Sequence, residues 1–229
     1  MKKIAIIAAL PGELKPLVFG REKSGGWQQR GKNAWVGRIG EYEAVAVAGG
    51  IGARAVERAA ERAFAGGNLD ALVSYGWAGA LTCAVKPPTA CAISEVIDTE
   101  SGAQFLTKLT KGYRLITLDH VARAEEKRGL AEKYQSVLVD MEAAAVARIA
   151  AERNVPFYCF KGISDGYTDQ IPDFSRFIDG EGQLLTATML THVALHPKYW
   201  ASMQRLGKNS GEAARGLAEM VRKSLPQLL

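Results

Sequence analysis

The chain has 229 residues with a formal net charge of +5, a size that fits one domain with a full hydrophobic core. Its 48% hydrophobic and 23% charged content is ordinary for a globular protein. The basic residues are scattered rather than grouped in a stripe with aromatic side chains, which argues against a protein that binds nucleic acid. We expect residues 1–229 to form a single domain.

The N-terminal segment and the cysteines indicate a cytoplasmic protein without an integral membrane segment. Only about seven apolar residues lie between Lys3 and Pro11, too few for a signal-peptide core or a membrane span. Cys83, Cys91 and Cys159 lack metal-type spacing and are expected to be buried free thiols. We therefore expect no metal ion and no organic cofactor.

Short apolar runs separated by helical patterns predict an α/β fold with a central mixed, largely parallel sheet flanked by helices. The predicted strands cover residues 4–9, 34–39, 42–48, 69–75, 89–97, 114–118, 136–139 and 156–160. The predicted helices cover residues 53–65, 123–133, 143–150 and most of the chain after Phe174, with breaks at His196-Pro197 and near 207–210. Residues 98–113 are predicted as loop or ragged strand.

Two glycine-rich segments each follow a predicted strand. Gly49-Gly50-Ile51-Gly52 and Gly76-Trp77-Ala78-Gly79 either let the backbone approach a ligand at a helix N-terminus or are tight strand-to-helix turns. Neither has the spacing of a dinucleotide-binding or phosphate-binding loop, which excludes those two classes of site. Trp77 is accordingly either a wall of a ligand pocket or a core residue.

Acidic side chains follow two successive predicted strands near the middle of the chain. Asp140-Met141-Glu142 follows one strand, and Ser164-Asp165 follows the next. Burying such groups without a partner costs several kcal/mol, of order ~2–7 even for neutral polar groups. Because the carboxyl ends of neighbouring strands in an α/β fold face the ligand-binding crevice, the sequence predicts a site there.

Taken in order, these segments resemble the nucleoside phosphorylase and nucleosidase superfamily, and are most similar to 5′-methylthioadenosine/S-adenosylhomocysteine nucleosidases. The matching segments are residues 4–13 with Glu13, 50–52, 74–79, 119–121, 139–145 and 163–165. The resemblance implies a nucleoside phosphorylase-like fold. It also implies cleavage of the N-ribosidic bond of a purine nucleoside, with release of adenine from a 5′-modified adenosine.

The resemblance also implies roles for single residues. Asp165 would be the general acid that protonates the departing purine, and Glu13 the base that activates water. Glu142 would accept hydrogen bonds from the ribose hydroxyls. Met141 would contact the sugar and Val121 the purine.

Three further residues complete the predicted substrate-binding set, namely Asp140, Ser164 and Trp77. Asp140 stands where these nucleosidases usually carry glutamate, and it is also expected to act as a buried hydrogen-bonded support. Trp77 stands where many of them carry a small serine.

Each of the three main acidic residues also has a structural alternative. Glu13 would then be a first-turn helix acid, Asp165 a turn cap, and Glu142 the partner of an arginine.

The type of reaction stays open at this point. The superfamily's phosphate-binding arginine has no counterpart near Val73-Ser74-Tyr75, which favours hydrolysis, although Arg30, Arg38 or a residue from a partner subunit could supply a charge for inorganic phosphate. Other candidates are a hopanoid-associated phosphorylase acting on an adenosyl lipid, another purine nucleoside phosphorylase, futalosine hydrolase and a non-catalytic nucleoside-binding protein. An apolar channel on the 5′ side would favour the lipid. The resemblance further implies a homo-oligomer.

Overall fold

The structure is a computed structural model and describes residues 2–20 and 26–229. Its strands are β1 Lys3–Ala8, β2 Gln28–Gln29, β3 Ala34–Ile39, β4 Tyr42–Ala48, β5 Ala71–Ala80, β6 Ala90–Asp98, β7 Gln104–Leu106, β8 Tyr113–Thr117, β9 Leu138–Asp140 and β10 Phe157–Asp165. Its helices are α1 Pro11–Phe19, α2 Ala53–Phe64, α3 Ala124–Tyr134, α4 Ala143–Glu152, α5 Thr186–Leu195 and α6 Trp200–Leu228, with short 3-10 turns at Ser175–Phe177 and Pro197–Tyr199. The single-domain prediction also covers Met1 and residues 21–25, which lie outside the described residues.

The ten strands of the described ranges belong to one mixed sheet. One parallel run contains β4, β1, β5 and β10, and a second contains β6, β8 and β9. The two runs join antiparallel at both ends, through β10 with β6 and through β5 with β9. A closed ring of strands therefore runs from β5 through β10, β6, β8 and β9 back to β5. The predicted α/β fold with a mixed central sheet and flanking helices is confirmed.

Alternate residues of β1 explain how helices cover both faces of the sheet. Ala5 and Ile7 pack with apolar residues of α2 and α4. Ile4 and Ile6 pack with α1 and α6 on the opposite face. A continuous apolar run is what a strand buried on both faces requires, and each fully buried isoleucine contributes about 1.5–3 kcal/mol. The sheet is thus fixed between two helical layers, with its strand ends left to form the site.

β5 is longer than predicted, because the glycine-rich segment after Tyr75 continues the strand instead of turning. β10 pairs with β5 from Leu72 to Gly79, and β9 pairs with it at Gly79 and Ala80. Two neighbouring strands therefore supply backbone partners to a segment whose glycines had indicated a turn. The expectation of a strand-to-helix turn at residues 76–79 is wrong.

The C-terminal part also differs from prediction. The break at His196-Pro197 is present, but the break near 207–210 is absent because α6 runs without interruption from Trp200 to Leu228. A glycine inside a helix costs only about 1 kcal/mol relative to alanine, and the buried face of α6 outweighs that cost. Cys83 is exposed, contrary to expectation, whereas Cys91 and Cys159 are buried free thiols. Within the described ranges, no helix has both the length and the apolar composition to cross a membrane.

Candidate active site

A cavity of about 520 Å³ lies where β1, β5, β9 and β10 end. All eight residues that the sequence predicts for the site line this one cavity, namely Glu13, Trp77, Val121, Asp140, Met141, Glu142, Ser164 and Asp165. Acidic groups from three separate parts of the chain are therefore brought together. Their individual roles stay predictions.

Gly79 is the backbone junction that positions two corners of the cavity. It pairs with Asp165 of β10 on one side and with Val139 of β9 on the other. A Cβ atom at Gly79 would lie 2.9 Å from Asp165 Oδ2, closer than real Cβ contacts allow. The absence of a side chain at residue 79 is what lets the Asp165 carboxylate fold against β5.

Asp165 is buried, and protein donors hold both of its carboxylate oxygens. Ser164 Oγ donates to Oδ1 at 2.7 Å, and Lys127 Nζ donates to Oδ2 at 2.6 Å. Lys127 Nζ also donates to the Gly166 carbonyl oxygen at 2.8 Å. The sequence did not predict an ammonium group beside this carboxylate.

Lys127 carried a sequence signal that could have been used. It shares the buried face of α3 with Leu130, Ala131 and Tyr134, which follow it by three, four and seven residues. Residues with that spacing lie on one side of a helix. Lys127 is therefore a charged residue on an otherwise apolar side of α3, which is the signal that the sequence carried.

Glu13 both caps α1 and lines the cavity. Its Oε2 accepts the Leu10 backbone N–H at 2.8 Å, which caps α1, and its Oε1 accepts the Trp77 backbone N–H at 2.8 Å. Burial raises the pKa of Glu13, while these backbone donors and the charge of Lys161 oppose the increase. A carboxylate has about four lone-pair positions, so these two bonds leave Glu13 able to accept from a water molecule.

Glu142 directly precedes α4, and its side chain reaches the N-terminus of α2. Its Oε1 accepts the Gly52 backbone N–H at 3.1 Å, so the first glycine-rich segment contacts a site carboxylate. Burial, followed by the negative charge of Asp140, raises the pKa of Glu142 above its ordinary value. Among the ion pairs of the described residues, none joins Glu142 to an arginine.

Asp140 has the contacts of the supporting role that the sequence also predicted. Lys161 Nζ lies 2.7 Å from Oδ2, Thr117 Oγ1 donates to Oδ1 at 2.7 Å, and the Ala143 backbone N–H donates to Oδ2 at 2.9 Å. Burial alone would lower the pKa of Lys161, but the adjacent Asp140 carboxylate raises it above its ordinary value. The Asp140–Lys161 pair therefore anchors the start of α4 beside Glu142.

Trp77 forms part of the cavity wall and is also anchored by the fold. Its Nε1–H donates to the Ser210 carbonyl oxygen of α6 at 3.0 Å, which ties β5 to that helix. A second part of the wall is apolar and comes from the C-terminal region, which the sequence reading left without a role. Its residues are Ile171, Phe174, Ile178, Leu184, Met189, Met203 and Leu206.

A model of a known protein family matches most of the chain. The family model of the phosphorylase superfamily matches residues 3–113 and 110–191. The chain belongs to the phosphorylase superfamily.

Solved structures similar to this superfamily member share its fold over nearly the whole chain. A 5′-methylthioadenosine/S-adenosylhomocysteine nucleosidase from Helicobacter pylori with butyl-thio-DADMe-Immucillin-A has a TM-score of 0.71 at 16% identity, covering 99% of each chain. The nucleosidase from S. pneumoniae with the transition-state inhibitor MT-ImmA has a TM-score of 0.67 at 21% identity, covering 96% of each chain. Futalosine hydrolase of Helicobacter pylori has a TM-score of 0.72 at 15% identity, covering 99% of this chain and 98% of that one. No curated protein matches the chain by sequence.

The cations of the cavity bear on which chemistry this superfamily member performs. No arginine is among the described residues that line the cavity, and the one lysine there is Lys127. Its ammonium is already bonded to Asp165 and Gly166. Within the described ranges, no three histidine, cysteine, aspartate or glutamate side chains are grouped to hold a metal ion.

Proposed function

We propose that this protein hydrolyses the N-ribosidic bond of a purine nucleoside and releases adenine from a 5′-modified adenosine of the methylthioadenosine or S-adenosylhomocysteine type. The observation that carries the proposal is that Glu13, Glu142 and Asp165 line one cavity together with Met141 and Val121. The similar nucleosidase structures from Helicobacter pylori and S. pneumoniae support the same class of substrate.

The chemistry requires negative groups near the sugar and a proton donor near the base. Bond cleavage passes through an oxocarbenium-like ribosyl cation while negative charge develops on the purine. Asp165 delivers a proton to the purine, most usefully at N7, and Glu13 activates the attacking water. Glu142 accepts the ribose hydroxyls, with hydrogen bonds that strengthen as the ring becomes positive.

The remaining predicted residues shape the cavity. Met141 packs against the sugar and Val121 against the purine face. Ser164 orients Asp165 through its hydrogen bond. Trp77 forms one wall. Asp140, which Lys161 and Thr117 hold in place, fixes the backbone next to Glu142.

Hydrolysis fits the cavity better than phosphorolysis. A phosphate dianion needs several cationic donors, usually arginines, beside the developing ribosyl cation. The described lining of the cavity offers Lys127 alone, and that ammonium is engaged by Asp165. Inorganic phosphate therefore has little to bind in this chain by itself, although a partner subunit could add a charge.

A second candidate substrate is an adenosyl lipid, as in the hopanoid-associated branch of the superfamily. The apolar wall contributed by residues between Ile171 and Leu206 favours it, because apolar surface is suited to a hydrocarbon substituent. The remaining alternatives to be tested are cleavage of futalosine, phosphorolysis of another purine nucleoside, and nucleoside binding without catalysis.

The deciding experiment is a panel of adenosine derivatives, with free base detected by HPLC in the presence and absence of phosphate. We expect adenine release from 5′-modified adenosines without phosphate. Strict dependence on phosphate would overturn hydrolysis. Binding of adenine analogues without any base release would overturn catalysis, and preference for long apolar 5′ substituents would favour the lipid.

The proposal includes the setting in which the protein acts. We propose that residues 1–229 function as one domain, since strands from both halves of the chain share one sheet, and that the protein is a cytoplasmic homo-oligomer. Exposed apolar side chains of α5 and α6, such as Leu190, Leu195 and Trp200, offer surface for self-association. Light scattering after size-exclusion chromatography measures the number of subunits.

A further inference from the structure

The contact between Lys127 and Asp165 is unusual for a buried helix face. The Lys127 side chain is 1% exposed, and an apolar residue at that position would complete the stripe formed by Leu130, Ala131 and Tyr134. Replacing a buried ion pair with packed apolar side chains is often neutral or stabilising. Packing of α3 therefore does not explain why this residue is a lysine.

The hydrogen bonds around Asp165 indicate which group carries the proton in the resting site. Ser164 Oγ donates to one carboxylate oxygen and Lys127 Nζ donates to the other. The Lys127–Asp165 contact is a salt bridge, which pairs an ammonium with a carboxylate. A general acid, however, must release a proton to the departing base. In this arrangement that proton resides on Lys127.

We propose that Lys127 is a positioning residue that holds Asp165 and supplies it with the proton that Asp165 passes to the leaving purine. The inference rests on the proposed nucleoside cleavage. As the C1′–N9 bond breaks, its electron pair moves to the purine. One proton moves from Lys127 Nζ to the Asp165 carboxylate and on to purine N7, while the water that Glu13 deprotonates bonds to C1′. The step ends with a neutral Lys127 amine, an Asp165 carboxylate, a neutral purine and a protonated Glu13. After product release, Glu13 loses its proton to solvent and solvent returns one to Lys127.

Other charged groups near this pair are already engaged. His120, which lines the same cavity, contacts Asp119 through Nδ1 and Glu126 through Nε2. Asp169 accepts the Gly166 backbone N–H. The remaining charged groups of the cavity and its immediate support are Glu13, Glu142, Asp140 and Lys161. Among the described residues, Lys127 is the cation in contact with Asp165.

The test compares Lys127→Met and Lys127→Arg with the wild type in pH profiles of kcat and KM for adenine release. Ammonium groups ordinarily lose a proton near pH ~10.4 and carboxyl groups near pH ~4. In Lys127→Met the donor is a carboxylic acid alone, so we expect the alkaline loss of activity to move to lower pH. Arginine keeps the charge but does not give up its proton. We therefore expect Lys127→Arg to lower kcat by about 10²-fold at every pH, the scale of general acid catalysis, with little change in KM.

Two results would overturn the inference. If Lys127 only holds Asp165 in place, Lys127→Arg will restore near wild-type kcat and the alkaline limb of Lys127→Met will not move. If Asp165 carries its own proton beside a fixed cation, removal of that cation will move the limb to higher pH.

Matched controls separate chemistry from folding. Lys133→Met and Lys133→Arg change an exposed lysine of the same helix and should leave the profiles unaltered, while His120→Asn measures any contribution of that imidazole. A 4-nitrophenyl riboside needs no proton on its leaving group, so Lys127→Arg should cleave it at nearly the wild-type rate. If it loses this activity equally, the defect is structural and the relay is refuted. Failure of the wild type to release base from any nucleoside would refute the proposed function, and the relay with it.

Discussion

Two buried lysine–aspartate pairs lie at the cavity, and they differ in what surrounds them. Lys161 lies 2.7 Å from Asp140, and Lys127 lies 2.6 Å from Asp165. The Asp140 carboxylate takes two further protein donors, and Lys161 is absent from the described lining of the cavity. Lys127 and Asp165, in contrast, both line it.

The same ionic contact thus occurs once with its lysine away from the cavity and once with both partners lining it. A buried pair whose lysine lies away from the cavity holds its charges in one fixed state. A pair that faces a ligand cavity can exchange a proton with what enters there. Substitutions in and around the two pairs test whether one pair supports the fold and the other takes part in the chemistry.

Asp165→Asn should abolish most of the activity, because an amide has no acidic proton to deliver to the purine. We expect kcat for adenine release to fall by about 10²–10⁴-fold, with KM changed little. Glu125→Gln, an exposed acid on α3, is the matched control and should behave as wild type. Unchanged turnover of Asp165→Asn would refute the acid assignment.

Lys161→Met should damage the fold rather than the chemistry, because it leaves Asp140 buried without its cation. We expect a loss of about 3–5 kcal/mol in the free energy of unfolding, measured by urea denaturation. The double variant Lys161→Met with Asp140→Leu removes both charges and should recover most of that loss. If the single variant is as stable as wild type but inactive, the supporting role of this pair is wrong.

Glu142 should set the acidic side of the pH profile. Burial and the neighbouring carboxylates raise its pKa, so on lowering the pH it becomes neutral earlier than an ordinary glutamate and loses strength as a hydrogen-bond acceptor. We expect kcat/KM to decline as pH falls through that raised value. Glu142→Gln should lower kcat/KM about tenfold or more at a pH above that raised value and flatten this acidic limb. If the acidic limb persists in Glu142→Gln and disappears in Glu13→Gln, the raised pKa of Glu13 controls that limb instead.

Gly79→Ala should displace Asp165 without touching Lys161. The added methyl group would meet Asp165 Oδ2 at 2.9 Å, so the carboxylate must shift by a few tenths of an ångström. Since misplacement by about 1 Å can cost 10²-fold, we expect kcat to fall by roughly tenfold. Steady-state kinetics beside Gly129→Ala, a helical position with open space for a methyl group, provides the comparison.

Gly52→Ala should have the smallest effect. Gly52 has a φ of 87° while its N–H holds Glu142, and a non-glycine residue in that region costs of order 1 kcal/mol or more. There is open space for the methyl group, so strain is the expected cause. Thermal unfolding should show a modest loss of stability with Glu142-dependent binding largely kept.

The sequence predicted the sheet and the acidic site because both depend on local signals. Apolar runs such as that of β1 mark buried strands, and carboxylates that follow strand ends must meet at one edge of a sheet. It did not predict that residues 76–79 stay extended, because the pairing of β5 with β9 and β10 is set by segments 60 or more residues away. Lys127 was not predicted as a site residue for a related reason. Its helix was recognised, but its partner Asp165 lies 38 residues further on.

The junction at Gly79 has a consequence for how this chain could acquire new substrates. Neighbouring strands lie about 4.8 Å apart, so β5 holds β9 and β10 at a separation of roughly two such spacings at this level. The separation between the strands that carry Asp140 and Asp165 is therefore set by the backbone and does not depend on side-chain substitutions nearby. Helices α5 and α6 and the segment before them contribute the apolar wall without belonging to the sheet. Under the proposed function, substitutions that change substrate selectivity should accumulate in this wall, while the separation of the acidic residues on β9 and β10 is retained.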